Sequence, residues 1–176
     1  VDIILQPLAS SEAVLSAEER ELGVAMVDLG GGTTDLAIFL DGSIRHTAVL
    51  PIGGQNLTKD LAIGLLTSQT DAEKIKVQHG IARTELVHGH QMVEVPSVGD
   101  RPPRQFTRRD IAEILEPRVE EMFDLVKREI VRAGYEGMLG AGVVITGGTS
   151  LLEGMPDAAE RGLNLPARRG MPTGIG

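Results

Sequence analysis

One stretch governs what this chain can become: Val24-Ala-Met-Val-Asp-Leu-Gly-Gly-Gly-Thr-Thr-Asp-Leu-Ala-Ile-Phe-Leu40. An apolar run enters Asp28, three glycines turn the chain, and Thr33, Thr34 and Asp35 open a second apolar run. Glycines let backbone approach a ligand closely, and successive turn amides can converge on an anion. The Thr33 and Thr34 hydroxyls add donors, and Asp28 offers a carboxylate suited to a hydrated hard cation. These residues read as a phosphate-binding hairpin, with an ordinary Gly-rich β-turn as the plainer alternative.

The surroundings extend the hairpin. Asp41-Gly42 is a two-residue turn between apolar runs, so Ser43 to Ile52 supplies a third strand of a meander over residues 24–52. A second strand-into-glycine unit follows later, Gly142-Val-Val-Ile-Thr-Gly-Gly-Thr-Ser. Its strand is short and fully apolar, as buried parallel strands are, and it delivers Gly147 and Gly148 to a sheet end, where α/β folds bind nucleotides. The first loop lacks the strand-to-helix context of a dinucleotide fingerprint and the lysine of a P-loop.

Helices fill the interval. Asn56 or Thr58 is placed to cap a helix from Lys59 to Leu66, with Leu57, Leu61 and Leu65 on one face. Thr70 and Glu73 have capping-box spacing at the head of a helix ending at His79 and Gly80. Residues 84–96 read as two short strands about Gly89-His90, and residues 98–104 as a loop. Thr107 and Asp110 cap a long helix from Arg108 to about Ala133, striped by Ile111, Ile114, Leu115, Val119, Met122, Phe123, Val126 and Ile130. Pro117 is expected to kink or split it. Gln6 to Leu15 reads as a short helix, Ser16 to Gly23 as a solvated connector, Pro156 to Arg161 as a helix and Leu165 to Arg169 as a strand.

Composition excludes several classes. A net charge of −8 argues against a general nucleic-acid binder, and 2% aromatic residues leave few stacking platforms. Without cysteine there is no disulfide or thiol chemistry. No apolar run approaches the roughly 18 residues of a membrane span. His88 and His90 lack further ligands nearby and read as a solvated turn rather than a metal site. Arg108, Arg109, Lys127, Arg128 and Arg132 read as a solvated basic face. The chain opens on Val1 inside an apolar run and stops at Arg169 to Gly176 without a closing element, so we expect a piece of a longer protein.

The order of these units, with Pro51-Ile-Gly-Gly-Gln-Asn-Leu-Thr-Lys-Asp-Leu-Ala-Ile-Gly-Leu65 between them, resembles the second half of an actin-like ATPase, and within that superfamily the FtsA family of bacterial cell-division proteins. The likeness runs over nearly all of residues 5–165. It implies an α/β, ribonuclease-H-like fold, a mixed sheet flanked by helices, with a smaller α+β insertion lobe. Residues 1–23 would be a connecting helix and linker, 24–54 and 140–176 a nucleotide-binding subdomain, and 55–139 an inserted subdomain.

The resemblance also implies roles. Asp28 would hold Mg2+ and the ATP triphosphate through water, and the amides of Gly30, Gly31, Gly32 and Thr33, beside Thr34, would take the phosphates. Glu73 and Lys76 would reach the ribose and adenine edge, although from the residues alone helix capping and an i,i+3 pair explain them equally. Gly147, Gly148, Thr149, Ser150 and Leu151 would line base and sugar. Gln6 stands where several relatives carry Glu, and it would orient the attacking water without serving as a strong base, so any hydrolysis should be slow.

The family's partners would be the acidic C-terminal tail of FtsZ, docking on the inserted lobe with the basic face as candidate, and further copies of the protein in filaments. Membrane contact would come only through a C-terminal helix not seen here, on the cytoplasmic side of the inner membrane. The family's first phosphate motif is not found in this sequence either, so the isolated chain is expected to bind ATP weakly or not at all and not to hydrolyse it. Other readings are half of a small-molecule kinase of the superfamily and a PilM-like pilus-assembly scaffold.

Overall fold

In the computed structural model, which describes residues 11–171, the apolar run before Asp28 forms β1 (Val24–Leu29) at the centre of a five-stranded sheet. β2 (Thr34–Leu40) and then β3 (Ser43–Leu50) continue antiparallel on one side. On the other side β6 (Val143–Thr146) runs parallel to β1, and β7 (Ala167–Arg169) parallel to β6. Both faces of the sheet are covered, which is why β1 is apolar at successive positions. Ala25, Val27 and Leu29 join the main core, whereas Val24 and Met26 join Phe39, Val144, Val14 and Leu15 on the opposite face. β3 lies at the sheet edge and alternates between exposed and half-buried residues.

Between β3 and β6 come α2 (Gly54–Leu65), α3 (Gln69–His79), a two-stranded ribbon of β4 (Met92–Val95) with β5 (Arg104–Thr107), and α4 (Arg108–Arg132). α5 (Met155–Leu163) follows β6. Leu57, Leu61 and Leu65 are fully buried, as their spacing predicts, and pack in the same core as Leu115, Val119, Met122 and Phe123 of α4.

Several expectations are corrected. Ser16 to Gly23 is no connector: it holds α1 (Ala17–Leu22), closed by a reciprocal capping box in which Ser16 Oγ accepts from the Glu19 amide and Glu19 accepts from the Ser16 amide. Helix α2 begins at Gly54 rather than Lys59, because Gly53 takes the cap position and its amide donates to Asn56 Oδ1 at 2.9 Å. Helix α3 is capped by Ser68, whose Oγ accepts from the Asp71 amide, so Glu73 is not the third residue of a capping box. Residues 84–96 contain one tight turn, Thr84–Leu86, and one strand, whose partner β5 lies in and beyond the expected loop. Helix α4 is not split at Pro117: it continues through that residue, since eight buried residues along its length outweigh one missing donor. Residues 11–14 are helical and Leu15 is not; Gln6 and the remainder of that expected helix, through residue 10, lie outside the described residues.

The end of α4 is tied to the edge strand by a carboxylate–imidazole contact. Glu129 accepts from Arg132 Nε at 2.9 Å and sits 2.9 Å from His46 Nε2 on β3. Those two partners, Arg132 first, outweigh desolvation and pull the Glu129 carboxyl from 4.5 down to about 2. A carboxyl depressed in the folded state contributes stability that is complete above pH 4.5 and is lost as pH falls toward 2. Glu129→Gln should therefore flatten the acid-induced loss of stability in that window, measured by urea unfolding at stepped pH. A pH profile unchanged by the substitution would show that the contact is energetically idle.

Candidate nucleotide site

The triple-glycine turn is fixed from beneath by the residues that follow the meander. The Gly54 amide donates to the Gly30 carbonyl at 2.9 Å, and the Gln55 amide to the Gly31 carbonyl at 2.8 Å. The free donors at the head of α2 are thus spent on the loop, and the approach is so close that a Cβ on Gly53 would stand 2.5 Å from the Gly31 oxygen. Gly30 bonds inward as well, its amide donating to the Thr33 carbonyl at 3.0 Å. The amides of Gly31, Gly32 and Thr33 are left with no partner among the described residues, at exposed positions. Successive turn amides without partners are the kind of donors that anion-binding turns use.

The second glycine turn meets the first. Thr149 Oγ1 donates to the Gly30 carbonyl at 3.2 Å. Gly147 has φ +87°, and a Cβ there would lie 2.4 Å from Asp28 Oδ1 and 2.5 Å from the Leu29 oxygen, so only glycine fits. A cleft of about 730 Å3 opens between the turns and α3, walled by Gly31, Gly148, Thr149, Glu73, Lys76 and Leu151 among others.

Lys76 and Glu73 form a small polar cluster at its side. Lys76 Nζ donates to the Gly54 carbonyl at 3.1 Å and to Thr58 Oγ1 at 3.0 Å, and pairs with Glu73 at 2.8 Å. Burial pushes the Glu73 carboxyl up, and the hydrogen bonds from Lys76 and Thr58 overcome this and hold it below the usual carboxylate range. Glu73 is therefore a tertiary tie between α3 and α2.

Two residues of the expected set turn inward. Thr34 is fully buried, and its hydroxyl donates to the Ile52 carbonyl at 2.8 Å, while Ser150 Oγ is spent on the Gly147 carbonyl at 2.6 Å. Gly30 contributes its carbonyl rather than its amide. These three shape the site from behind.

Asp28, at the end of β1, is half-buried and directly opposite Asp35 of β2. Desolvation, then the Asp35 charge, push its carboxyl above the usual range, and no cation among the described residues pairs with it. No group of three His, Cys, Asp or Glu side chains converges among the described residues. This donor set fits a hydrated divalent cation held by one carboxylate together with ligand phosphates, and it does not fit a protein-caged ion.

Among the other lining residues, Leu151 belongs to the expected set, whereas Val77 carried no sequence signal and Arg108 was expected only on a solvated basic face. Val77 of α3 is 74% exposed and Leu151 69% exposed, two large apolar side chains in one cleft. Arg108 donates to the His79 carbonyl at 3.1 Å and pairs with Glu153 at the cleft rim. The expected basic face is largely neutralised, because Arg109, Arg128 and Arg132 also pair with carboxylates, leaving Lys127 as its one residue without an ion pair among the described residues.

Residues 25–176 match the family profile described as "Cell division protein FtsA". The chain belongs to the FtsA family. It is 50% identical over 174 residues to Cell division protein FtsA of Pseudomonas aeruginosa, covering 99% of this chain and 42% of that protein. Against Cell division protein FtsA of Neisseria meningitidis it is 45% identical over 175 residues, again 99% of this chain and 42% of the relative. The chain thus spans less than half the length of these FtsA relatives. The crystal structure of MreB5 of Spiroplasma citri bound to ADP superposes with a TM-score of 0.70 at 20% identity, over 86% of this chain and 50% of that one, which shows the actin-like ATPase fold. No helix among the described residues is long and apolar enough to cross a membrane.

Proposed function

We propose that this chain is the ATP-binding half of an FtsA-type actin homologue that polymerises in bacterial division and anchors FtsZ filaments to the membrane. One observation carries the reading: Gly31, whose amide has no partner among the described residues, lines the same cleft as Gly148, Thr149, Glu73 and Lys76. In this reading the amides take the phosphates, Asp28 holds Mg2+ through water, and the Lys76–Glu73 pair meets the ribose. Bound Mg2+ would supply charge neutralisation at the phosphates. The base would lie between Val77 and Leu151, whose exposed apolar surfaces gain by being covered. Residues 24–54 with 140–176 would act as the nucleotide-binding subdomain and 55–139 as the inserted one. Gln6 would orient water in a slow hydrolysis.

For FtsZ we retain the inserted segment as the docking region. There, an apolar groove of about 470 Å3 carrying Arg101 suits an acidic tail better than the neutralised face of α4. Family membership favours this reading over a small-molecule kinase or a PilM-like scaffold.

Calorimetry tests the site. A full-length FtsA-family protein carrying this segment should bind Mg-ATP, and Asp28→Ala should weaken it by at least about tenfold, the effect of losing a charge-assisted contact. The isolated 176-residue chain should bind weakly or not at all and show no turnover. Tight binding by that chain, or turnover above an Asp28→Ala control, would overturn the shared-cleft reading. Co-sedimentation of the full-length protein with FtsZ tests the partner: no FtsZ binding together with phosphate transfer to a sugar would favour the kinase instead.

A further inference from the structure

Gln55 belongs to the first turn of α2, and its main-chain amide is bonded to the Gly31 carbonyl, so its backbone is locked to the glycine turn. Its exposed carboxamide lies across that turn. A Cβ on Gly31 would stand 3.5 Å from Gln55 Nε2, and one on Gly32 4.0 Å from Oε1. The side chain has no hydrogen-bond partner among the described residues, in contrast to Lys76, Glu73, Thr58 and Thr149 around it. It lines the nucleotide cleft and also the adjoining groove of about 630 Å3.

The geometry points to Gln55 as a further ligand-contacting residue: Nε2 donates a hydrogen bond to a phosphate oxygen of a nucleotide seated against the glycine turn at Gly31. The inference rests on the nucleotide reading above. Gly31 and Gln55 line the same cleft, and the Gln55 carboxamide lies over the turn, within reach of a phosphate oxygen that the turn amides leave free. A neutral carboxamide supplies a donor there without adding charge beside Asp28 and Asp35, whereas a carboxylate would repel the anion. Because the backbone bond to Gly31 does not involve the side chain, substitution at Gln55 leaves the turn in place.

The test uses a full-length FtsA-family protein carrying this segment, with Mg-ATP and adenosine as probes and dissociation constants from competition against a fluorescent nucleotide. Gln55→Ala should weaken Mg-ATP roughly tenfold, the worth of one hydrogen bond to a charged group, and leave adenosine within about twofold. Gln55→Glu should weaken Mg-ATP more than the alanine. Unchanged Mg-ATP affinity in both variants, alongside a loss in Asp28→Ala, overturns the role of Gln55 and leaves the site standing. Equal weakening of adenosine and Mg-ATP overturns the phosphate assignment. A wild-type protein that binds no Mg-ATP overturns both readings together.

Discussion

Gly147→Ala should destabilise the protein by about 2–5 kcal/mol, the sum of left-handed backbone strain and overpacking. The backbone there has φ +87°, and the new Cβ would lie 2.5 Å from the Leu29 carbonyl oxygen, a main-chain atom of the central strand that cannot swing aside. It would also press on Asp28 Oδ1. Relief requires β1 and the turn after β6 to separate, which misplaces Thr149 relative to Gly30. Urea unfolding followed by circular dichroism should show a clearly lowered midpoint, and Mg-ATP affinity in the full-length context should fall with it. A midpoint within experimental error of wild type would mean that the two turns are not locked as described.

Phe123→Ala carries the other large effect. Phe123 is fully buried on α4 and packs so tightly on α5 that a Cβ on Gly162 would stand 2.7 Å from its own Cβ. Truncation removes the ring from a core that β1, β2, α2 and α5 share, and such losses run to about 3–5 kcal/mol. The urea midpoint should drop with an unchanged slope, the sign of lost stability without a change in the surface exposed. A loss below about 1 kcal/mol would show that the α4–α5 seam collapses to fill the space.

Much of the fold is written locally. Asp41-Gly42 announces the turn between β2 and β3, and Thr107 with Asp110 announces the start of α4. What escapes the sequence is fixed at long range. Gly53-Gly54 looks like a break, yet the Gly54 amide finds the Gly30 carbonyl and the helix starts there. The pairing of Met92 with Thr107 spans a proline-containing loop whose composition argues against a ribbon. Helix α1 was legible after all, in its Ser16–Glu19 box, but it buries none of its residues and has no apolar period.

The site divides in the same way. Glycine spacing marks the two turns, because only those residues permit the approach. Local spacing says nothing of which hydroxyls face the cleft: Thr34 and Ser150 satisfy buried carbonyls, while Thr149 reaches across to Gly30. Val77 and Gln55 stayed hidden for a related reason. A valine on a helix and a glutamine after glycines are unremarkable until the tertiary fold places them over one cavity.

The Gly30 carbonyl accepts from both Gly54 and Thr149, and Thr149 lies 119 residues further along the chain. Central strand β1 likewise waits for β6 to supply its parallel neighbour. During synthesis the meander and α2 emerge first, yet the triple-glycine turn does not gain its Thr149 contact, nor the cleft its second wall, until the ribosome has passed Thr149. A chain arrested before that point exposes one flank of its central strand, an edge open to misassociation, and presents no finished cleft. Ligand binding would thus report that synthesis of this segment is nearly complete.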